Sequence, residues 1–426
     1  MLAQMLILHF FFSFQIIKFD HYCTLLMEKL RKMVNQIAYT PQQNRLSKLS
    51  ALQLSLIPIL SLASTLYSFA LPLRCRLYQL GLLHKNRLPV PVISVGNLTW
   101  GGNGKTPMVE FLAVWLSAAG ISPLILTRGY SGADEAKMLQ RHLYGTPVKI
   151  GIGANRANTA ASFLKRYGHI SPWKHGDTDL EGLLSNRKQG SCSCSDQIGI
   201  AILDDGMQHI SLWRDVEIVM VNAMIPWGNH QLIPRGPLRE PLTALTRADI
   251  VVIHHADLVS EKDVEAIASE IQKVKISLPM FLSRLAPLYF LKAGNTSCKL
   301  ALPDISNTLV LCVSAIGSAD SFVERIKKLG PVYADRLDFS DHHLFQAEDI
   351  DMIKMRLQNL QSEFAMKPVV VVTEKDYDRA PEVLKYLNPY EVLVLCSSLQ
   401  ILPHNGNTEE SFKKCLWQHL KVSNKV

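Results

Sequence analysis

Pro91-Val-Ile-Ser-Val-Gly-Asn-Leu-Thr-Trp-Gly-Gly-Asn-Gly-Lys-Thr-Pro107 is the stretch that decides the fold. An apolar β-branched run enters a glycine-rich turn, and Lys105-Thr106 then open a helix. This is the layout of a phosphate cradle, in which glycines turn backbone N–H groups toward phosphate oxygens and the helix N-terminus adds its dipole. Thr99, Trp100, Gly101, Gly102, Asn103 and Gly104 form the candidate turn, Lys105 reaches for the outer phosphates, and Thr106 is a candidate Mg²⁺ ligand. Pro107 suits a first helical turn, and Met108, Leu112, Trp115 and Leu116 supply an apolar face. The usual G-x-x-x-x-G-K-[ST] pattern is missed at its first glycine, where Thr99 stands.

Outward from this loop the chain alternates short β-branched runs with helical stretches. The runs are Val90–Val95, Leu124–Thr127, Ile198–Leu203, Val216–Val221 and Ile250–Ile253. Crossover connections of this kind build a parallel sheet covered on both faces, so the expected fold is α/β, a P-loop doubly wound parallel sheet over 86–285. Further runs at Thr308–Val313, Val369–Thr373 and Glu391–Leu395 predict a second, smaller α/β domain over 286–426. Between His169 and Gln197 the rhythm is broken by Gly, Ser, Asp, Lys and Pro, which reads as a surface insertion. The run Ile200-Ala-Ile-Leu-Asp-Asp-Gly206 ends a strand in two carboxylates. Asp204 and Asp205 therefore join Thr106 as candidate Mg²⁺ ligands, although adjacent acids at a strand end also make turns and caps.

The N-terminal region has three parts. An apolar run from Leu6 to Ile17 has no basic residue before it, which argues against a secretory signal. Met27 to Ser50 carries Lys29, Arg31, Lys32, Arg45 and Lys48 against Glu28, the bias of an organellar transit segment, and Met27 is a candidate start; residues 1–50 are read as an N-terminal extension. Ala51–Leu71 has no charge and is followed by Arg74, Arg76, Lys85 and Arg87, making 51–85 a membrane-associated helix with a basic flank. Ser61, Ser64, Thr65 and Ser68 recur at helical spacing, and Pro58 is expected to interrupt the first part. A surface anchor fits this better than a lipid-surrounded span or a core helix.

The chain has 426 residues, 48% of them hydrophobic, with a formal charge of +8, which excludes wholesale disorder and favours phosphate, anionic lipid or nucleic acid as partners. No aromatic-basic nucleic-acid module accompanies the charge, so no nucleic-acid partner is expected. Eight cysteines without a C-x-x-C pair point to a reducing compartment, Cys192-Ser-Cys194 being the one close pair. A GTPase should carry D-x-x-G and N-K-x-D. Leu203-Asp-Asp-Gly206 and Thr373-Glu-Lys-Asp376 match neither.

Taken together, the chain resembles the tetraacyldisaccharide 4'-kinases. The likeness rests on Val95-Gly-Asn-Leu-Thr99 with Gly101–Pro107, Thr127-Arg-Gly-Tyr130, Asp134-Glu135, Leu203-Asp-Asp-Gly-Met-Gln-His209, Leu232–Pro241, Asp341-His-His343 and Thr373-Glu-Lys-Asp376. Met207 stands where the family often has Phe. The resemblance implies transfer of the ATP γ-phosphate, with Mg²⁺, to the 4'-hydroxyl of an acylated glucosamine disaccharide 1-phosphate. It implies Asp134 as general base, oriented by a histidine of the Asp341-His342-His343 motif, for which His342 is chosen. Arg128 is a candidate phosphate clamp, with a strand-end salt bridge as the alternative. The loop holding Arg239 and Glu240 is placed near the nucleotide. His209 either caps a helix or lines the site, and Glu374 and Asp376 serve either domain closure or a turn. A lipid substrate gives the apolar helix a reason to lie on a membrane, since exposing acyl chains costs about 0.8 kcal/mol per methylene. Plant-type members are expected in mitochondria, and no obligate protein partner is inferred.

Overall fold

The structure, a computed structural model, describes residues 29–129, 134–170 and 196–423. The Leu6–Ile17 run, Met27, the Cys192/Cys194 pair and most of the 169–197 insertion lie outside the described residues.

Twelve strands form one mostly parallel sheet. They are β1 (Val92–Gly96), β2 (Pro123–Thr127), β3 (Lys149–Ile152), β4 (Ile200–Asp204), β5 (Val216–Asn222), β6 (Ile250–His254), β7 (Met280–Lys292), β8 (Asn295–Leu300), β9 (Leu309–Ser314), β10 (Tyr333–Asp338), β11 (Pro368–Thr373) and β12 (Val392–Leu402). Their order is β10-β9-β11-β12-β7-β6-β5-β1-β4-β2-β3, with β8 paired to β7. Among the described strands, only the β7–β12 and β7–β8 pairs are antiparallel. β1, β2, β4, β5 and β6 are buried along their whole length, as strands covered on both faces must be.

The strand β1 lies between β4 and β5, so the chain leaves it toward one side of the sheet and later returns to the other. Such a switch point opens a crevice at the carboxyl ends of the strands, and the glycine-rich turn lies there. Beneath it, Met108, Leu112 and Leu116 of helix Lys105–Ala118 are fully buried in a core that also takes in Phe281 and, from helix Glu409–Ser423, Phe412, Leu416 and Trp417. The C-terminal helix thus packs with the P-loop helix. A second core joins β9 and β11 to helix Ala347–Phe364 through Leu311, Val313, Ile353, Leu357 and Val370.

The division expected at 285/286 falls inside β7. Residues Met280–Ser283 of β7 pair with β6, and Leu282–Lys292 pair with β12. Where Arg284–Pro287 faces Ser397–Gln400, the sheet is two strands wide, because β6 has ended and β11 meets β12 only at Val392–Leu395.

By Cα proximity the described chain forms two units, 29–73 with Trp227–Pro241, and Arg74–Pro226 with Leu242 onward. In the first, Asn229 Nδ2 donates to the Ile37 and Arg235 carbonyls at 3.1 and 2.9 Å. Ser64 Oγ and Tyr67 OH donate to the Leu232 and Arg239 carbonyls at 2.9 and 2.8 Å. The helix Ala51–Gln79 runs on past both Pro58 and Pro72. The expected interruption at Pro58 does not occur, because one missing rung is a small fraction of so long a helix. Leu62, Leu66, Phe69 and Leu73 are exposed, Phe69 by 69%, which is not the burial of a core helix. This helix is long and apolar enough to cross a membrane.

Candidate active site

The turn after β1 is braced from within. Asn97 Nδ2 donates to the Thr99 carbonyl at 2.5 Å, Thr99 Oγ1 to Asn103 Oδ1 at 3.2 Å, and Asn103 Nδ2 to the Gly101 carbonyl at 3.0 Å. All three side chains are buried, so Thr99 turns inward, where the common pattern would have glycine. Gly104 has a left-handed φ of 78°, and a Cβ there would run into the His254 ring. The turn is fastened outward by Asn222 Nδ2, which donates to the Gly102 carbonyl at 2.9 Å. Gly317, between β9 and helix Ala319–Lys327, presses on Gly101 and Gly102 so closely that its own Cβ would lie 2.5 Å from the Gly102 nitrogen. Strands far apart in sequence thereby meet on one loop.

Beside the turn, β4 ends in Asp204, 2% exposed, followed by Asp205 at a left-handed φ of 53°. Lys105 Nζ is 3.7 Å from Asp205 Oδ1. Burial, then the neighbouring Glu135 charge, push the Asp204 carboxyl up to about 7. Its Oδ1 is buried without a hydrogen-bond partner among the described residues. An orphaned carboxylate oxygen with the Asp205 carboxylate and Lys105 beside it, and a buried Thr106 following Lys105 in the chain, suits a hard divalent cation shared with phosphate oxygens, so the donor set fits Mg²⁺.

Three groups unanticipated as site residues complete this centre. Glu135, beside Asp134 at the start of helix Asp134–His142, accepts from Lys375 Nζ at 3.1 Å. Burial would raise its carboxyl, but the charges of Lys375, Lys105 and His342 hold it below the ordinary value. Lys375 is raised in turn, burial being outweighed by Glu135 and Asp341. Arg156 is nearly fully buried, and its Nη2 donates to the Asp204 carbonyl at 3.4 Å. The motifs Asp134-Glu135 and Thr373-Glu-Lys-Asp376 held two of these three; nothing in the sequence marked Arg156. The side chain of Asp134 lies outside the described residues; its backbone stands at the start of the helix Asp134–His142.

The two histidines of the 341–343 motif have different surroundings. His343 Nε2 is 2.7 Å from Asp349 Oδ2 and its ring stacks on Phe339 at 5.1 Å, a packed structural role. His342 has φ 64°, its N–H donates to the Ala315 carbonyl at 3.1 Å, and its ring acts electrostatically on Glu135. A left-handed turn thus points successive histidines to different places.

On the other flank, burial and then Arg156, Arg214, Arg74 and Arg128 hold His209 down at about 4, so it is neutral among four guanidinium groups. Arg128 therefore sits in a cationic patch next to the carboxylates. The loop carrying His209 is fixed by Arg214, which donates to the Gly206, Met207 and His209 carbonyls at 3.0, 3.2 and 2.8 Å and pairs with buried Glu217. Ser94 Oγ of β1 donates to the same Glu217 at 2.8 Å.

Glu374 and Asp376 are both structural. Asp376 accepts from Thr373 Oγ1 at 2.7 Å, the Ala315 N–H at 3.2 Å and Arg379 at 3.1 Å. Glu374 and Glu110 accept from opposite nitrogens of His142 at 2.7 and 2.8 Å, and Arg141 pairs with Asp378 through two bonds of 2.9 Å. These contacts tie the helix beginning at Asp134 to the P-loop helix and to helix Glu374–Arg379. Glu240, the remaining expected nucleotide contact, is buried in the other unit.

Three comparisons bear on this arrangement. The Aquifex aeolicus LpxK crystal structure, in complex with ATP, has the same fold, with a TM-score of 0.55 and 23% identity over 86% of this chain and 98% of that one. An Arabidopsis thaliana protein named as a probable mitochondrial tetraacyldisaccharide 4'-kinase is 53% identical over 395 residues, 92% of this chain and 98% of its own length. A tetraacyldisaccharide 4'-kinase of Syntrophus aciditrophicus is 32% identical over 387 residues, 85% of this chain and 93% of its own. The profile of one family, tetraacyldisaccharide-1-P 4'-kinase, matches residues 56–420, and the chain belongs to that family.

Proposed function

We propose that this chain transfers the γ-phosphate of ATP to the 4'-hydroxyl of a tetraacyl glucosamine disaccharide 1-phosphate at a membrane surface. The observation that carries this reading is the convergence of Lys105, Asp204, Asp205 and Glu135 beside a braced glycine turn at the switch point of the sheet. Phosphoryl transfer depends on positioning and on electrostatic stabilisation of spread negative charge. The turn from Thr99 to Gly104 cradles the phosphates, and Lys105 neutralises the charge that builds on the transferring group. Thr106, Asp204 and Asp205 would hold Mg²⁺, which supplies positive charge between phosphate oxygens when bound. Asp134 accepts the sugar hydroxyl proton and His342 orients it.

The acceptor carries its own phosphate, and the Arg74, Arg128, Arg156 and Arg214 patch around His209 supports anion binding on the side facing Asp204. The exposed apolar face of helix Ala51–Gln79 spares the acyl chains full transfer into water. The name of the Arabidopsis relative and the basic segment after Met27 support a mitochondrial address.

A guanine-dependent switch is not favoured. At the end of β6, where a P-loop GTPase reads its base, Asp257 is held by Arg325 at 3.1 Å and His255 by the same guanidinium at 3.2 Å. The decisive experiment incubates purified protein with labelled ATP and acylated disaccharide 1-phosphate. Label should enter the disaccharide, and Asp134→Ala should abolish it; incorporation by that variant at the parental rate would remove Asp134 from the mechanism.

A further inference from the structure

In the unit formed by 29–73 and Trp227–Pro241, two arginines carry buried guanidinium nitrogens with no counter-charge among the described residues. Arg45 is 8% exposed, and its Nε and Nη2 are buried with no hydrogen-bond partner among the described residues; the same holds for Nε of Arg235. They come from different segments. Arg45 starts the short turn Arg45–Lys48, and Arg235 lies in the loop that Asn229 ties to the Ile37 carbonyl. Burial, then the Arg235 charge, lower the proton affinity of Arg45, and no carboxylate offsets them. Buried guanidinium groups with unpaired N–H and a like-charged neighbour are costly, and proteins keep such an arrangement where an anion completes it.

We infer that Arg45 and Arg235 form a binding site for a phosphate group, and that its occupant is the phosphate of an anionic phospholipid headgroup. The forked guanidinium matches phosphate oxygens through paired N–H donors. The lipid source is favoured by the rest of the unit, on whose reading as membrane-seated the assignment rests. Its described residues hold seven lysines and arginines against one carboxylate, Glu240, and its long helix exposes Leu62, Leu66 and Phe69. Arg45 precedes residue 56, where the family match begins, while Arg235 falls within it.

The test is co-sedimentation of the full chain with vesicles of phosphatidylcholine alone, or of phosphatidylcholine and phosphatidylglycerol in equal parts. Arg45→Gln/Arg235→Gln should lose affinity for the anionic vesicles by about thirty-fold, at roughly 1 kcal/mol per basic residue at the membrane, and keep its binding to neutral vesicles. Binding of that variant to anionic vesicles at parental strength would overturn the site. If the double variant does not fold, Arg45→Lys keeps the charge but removes the forked donors; weakened anionic binding supports the assignment and unchanged binding overturns it. Inorganic phosphate forms the third arm. Thermal stabilisation of the parental protein by phosphate, without any preference for anionic vesicles, would overturn the lipid as occupant. Kinase turnover in detergent is measured alongside, so loss of catalysis is distinguishable from loss of headgroup binding.

Discussion

Lys375 Nζ lies 3.1 Å from Glu135 Oε1, joining the helix that follows β11 to the helix that begins at Asp134. The ammonium is the counter-charge that keeps Glu135 ionised beside Asp204. Lys375→Met should lower kcat by about 10² or more with a smaller effect on the KM for ATP, since positioning and charge in the transition state are lost. Glu135 would then take up its proton at higher pH, and the acid limb of the kcat profile should move upward. Lys375→Arg should restore part of the rate. An unchanged pH profile in Lys375→Met would show that the pair is only structural.

Asp204 gives a stability effect opposite in sign to its effect on activity. Its carboxyl, ordinarily near 3.8, is pushed up to about 7 by burial and by Glu135. A carboxyl raised on folding destabilises the charged form, so the cost is absent below the unfolded value, grows between the two and is complete above pH 7. Asp204→Asn should therefore melt at higher temperature than the parent at pH 8 without Mg²⁺, while turnover falls by about 10²–10³. Magnesium should stabilise the parent more than the variant. Calorimetry at pH 5 and pH 8 checks the sign: a gain at pH 5 as large as that at pH 8 contradicts it.

His142 bridges Glu110 and Glu374, and although burial opposes it, those two carboxylates raise the imidazole to about 10. A histidine raised above its ordinary value contributes stability in full below about 6.5, and loses it as pH climbs through 10. Denaturant titrations should show the parent weakening between pH 7 and 10 and His142→Gln varying less across that window. The variant should also be less stable at pH 7 by about 2–4 kcal/mol, because two part-buried carboxylates lose their shared cation. Parallel pH curves for the two proteins would exclude the imidazolium bridge.

Gly104 is left-handed and lies against His254, whose Nδ1 is 2.9 Å from Ser283 Oγ. Gly104→Ala should cost about 1–3 kcal/mol of strain and weaken ATP binding by about tenfold or more. Adding His254→Ala removes the collision but not the backbone strain, so it should recover only part of the loss. Full recovery, read by nucleotide titration, would mean the positive φ carries no cost.

The sheet was legible in part. Buried parallel strands such as β1, β4, β5, β9 and β11 announce themselves as β-branched runs between helices. β3 has four residues, β10 alternates charges in Tyr-Ala-Asp-Arg-Leu-Asp, and β7 contains Pro287 and Arg284; none has the uninterrupted apolar signature. In the site, Lys105, Thr106 and the Asp204-Asp205 pair were legible because loop and strand chemistry put them there. Glu135, Lys375 and Arg156 come together only through the order of strands in space. That His343 packs while His342 acts on Glu135 depends on one left-handed φ, which spacing along the chain does not disclose.

The narrow place in the sheet, where Arg284–Pro287 faces Ser397–Gln400 alone, divides the strands that carry the reaction centre. A ribbon of two strands accommodates a wider range of twist than a broad sheet. Lys375 and His342 stand beyond that ribbon, and Lys105 and Asp204 before it. A few rungs of ladder join the two banks there, and the Lys375–Glu135 and Arg141–Asp378 pairs fasten the same banks from the helix side.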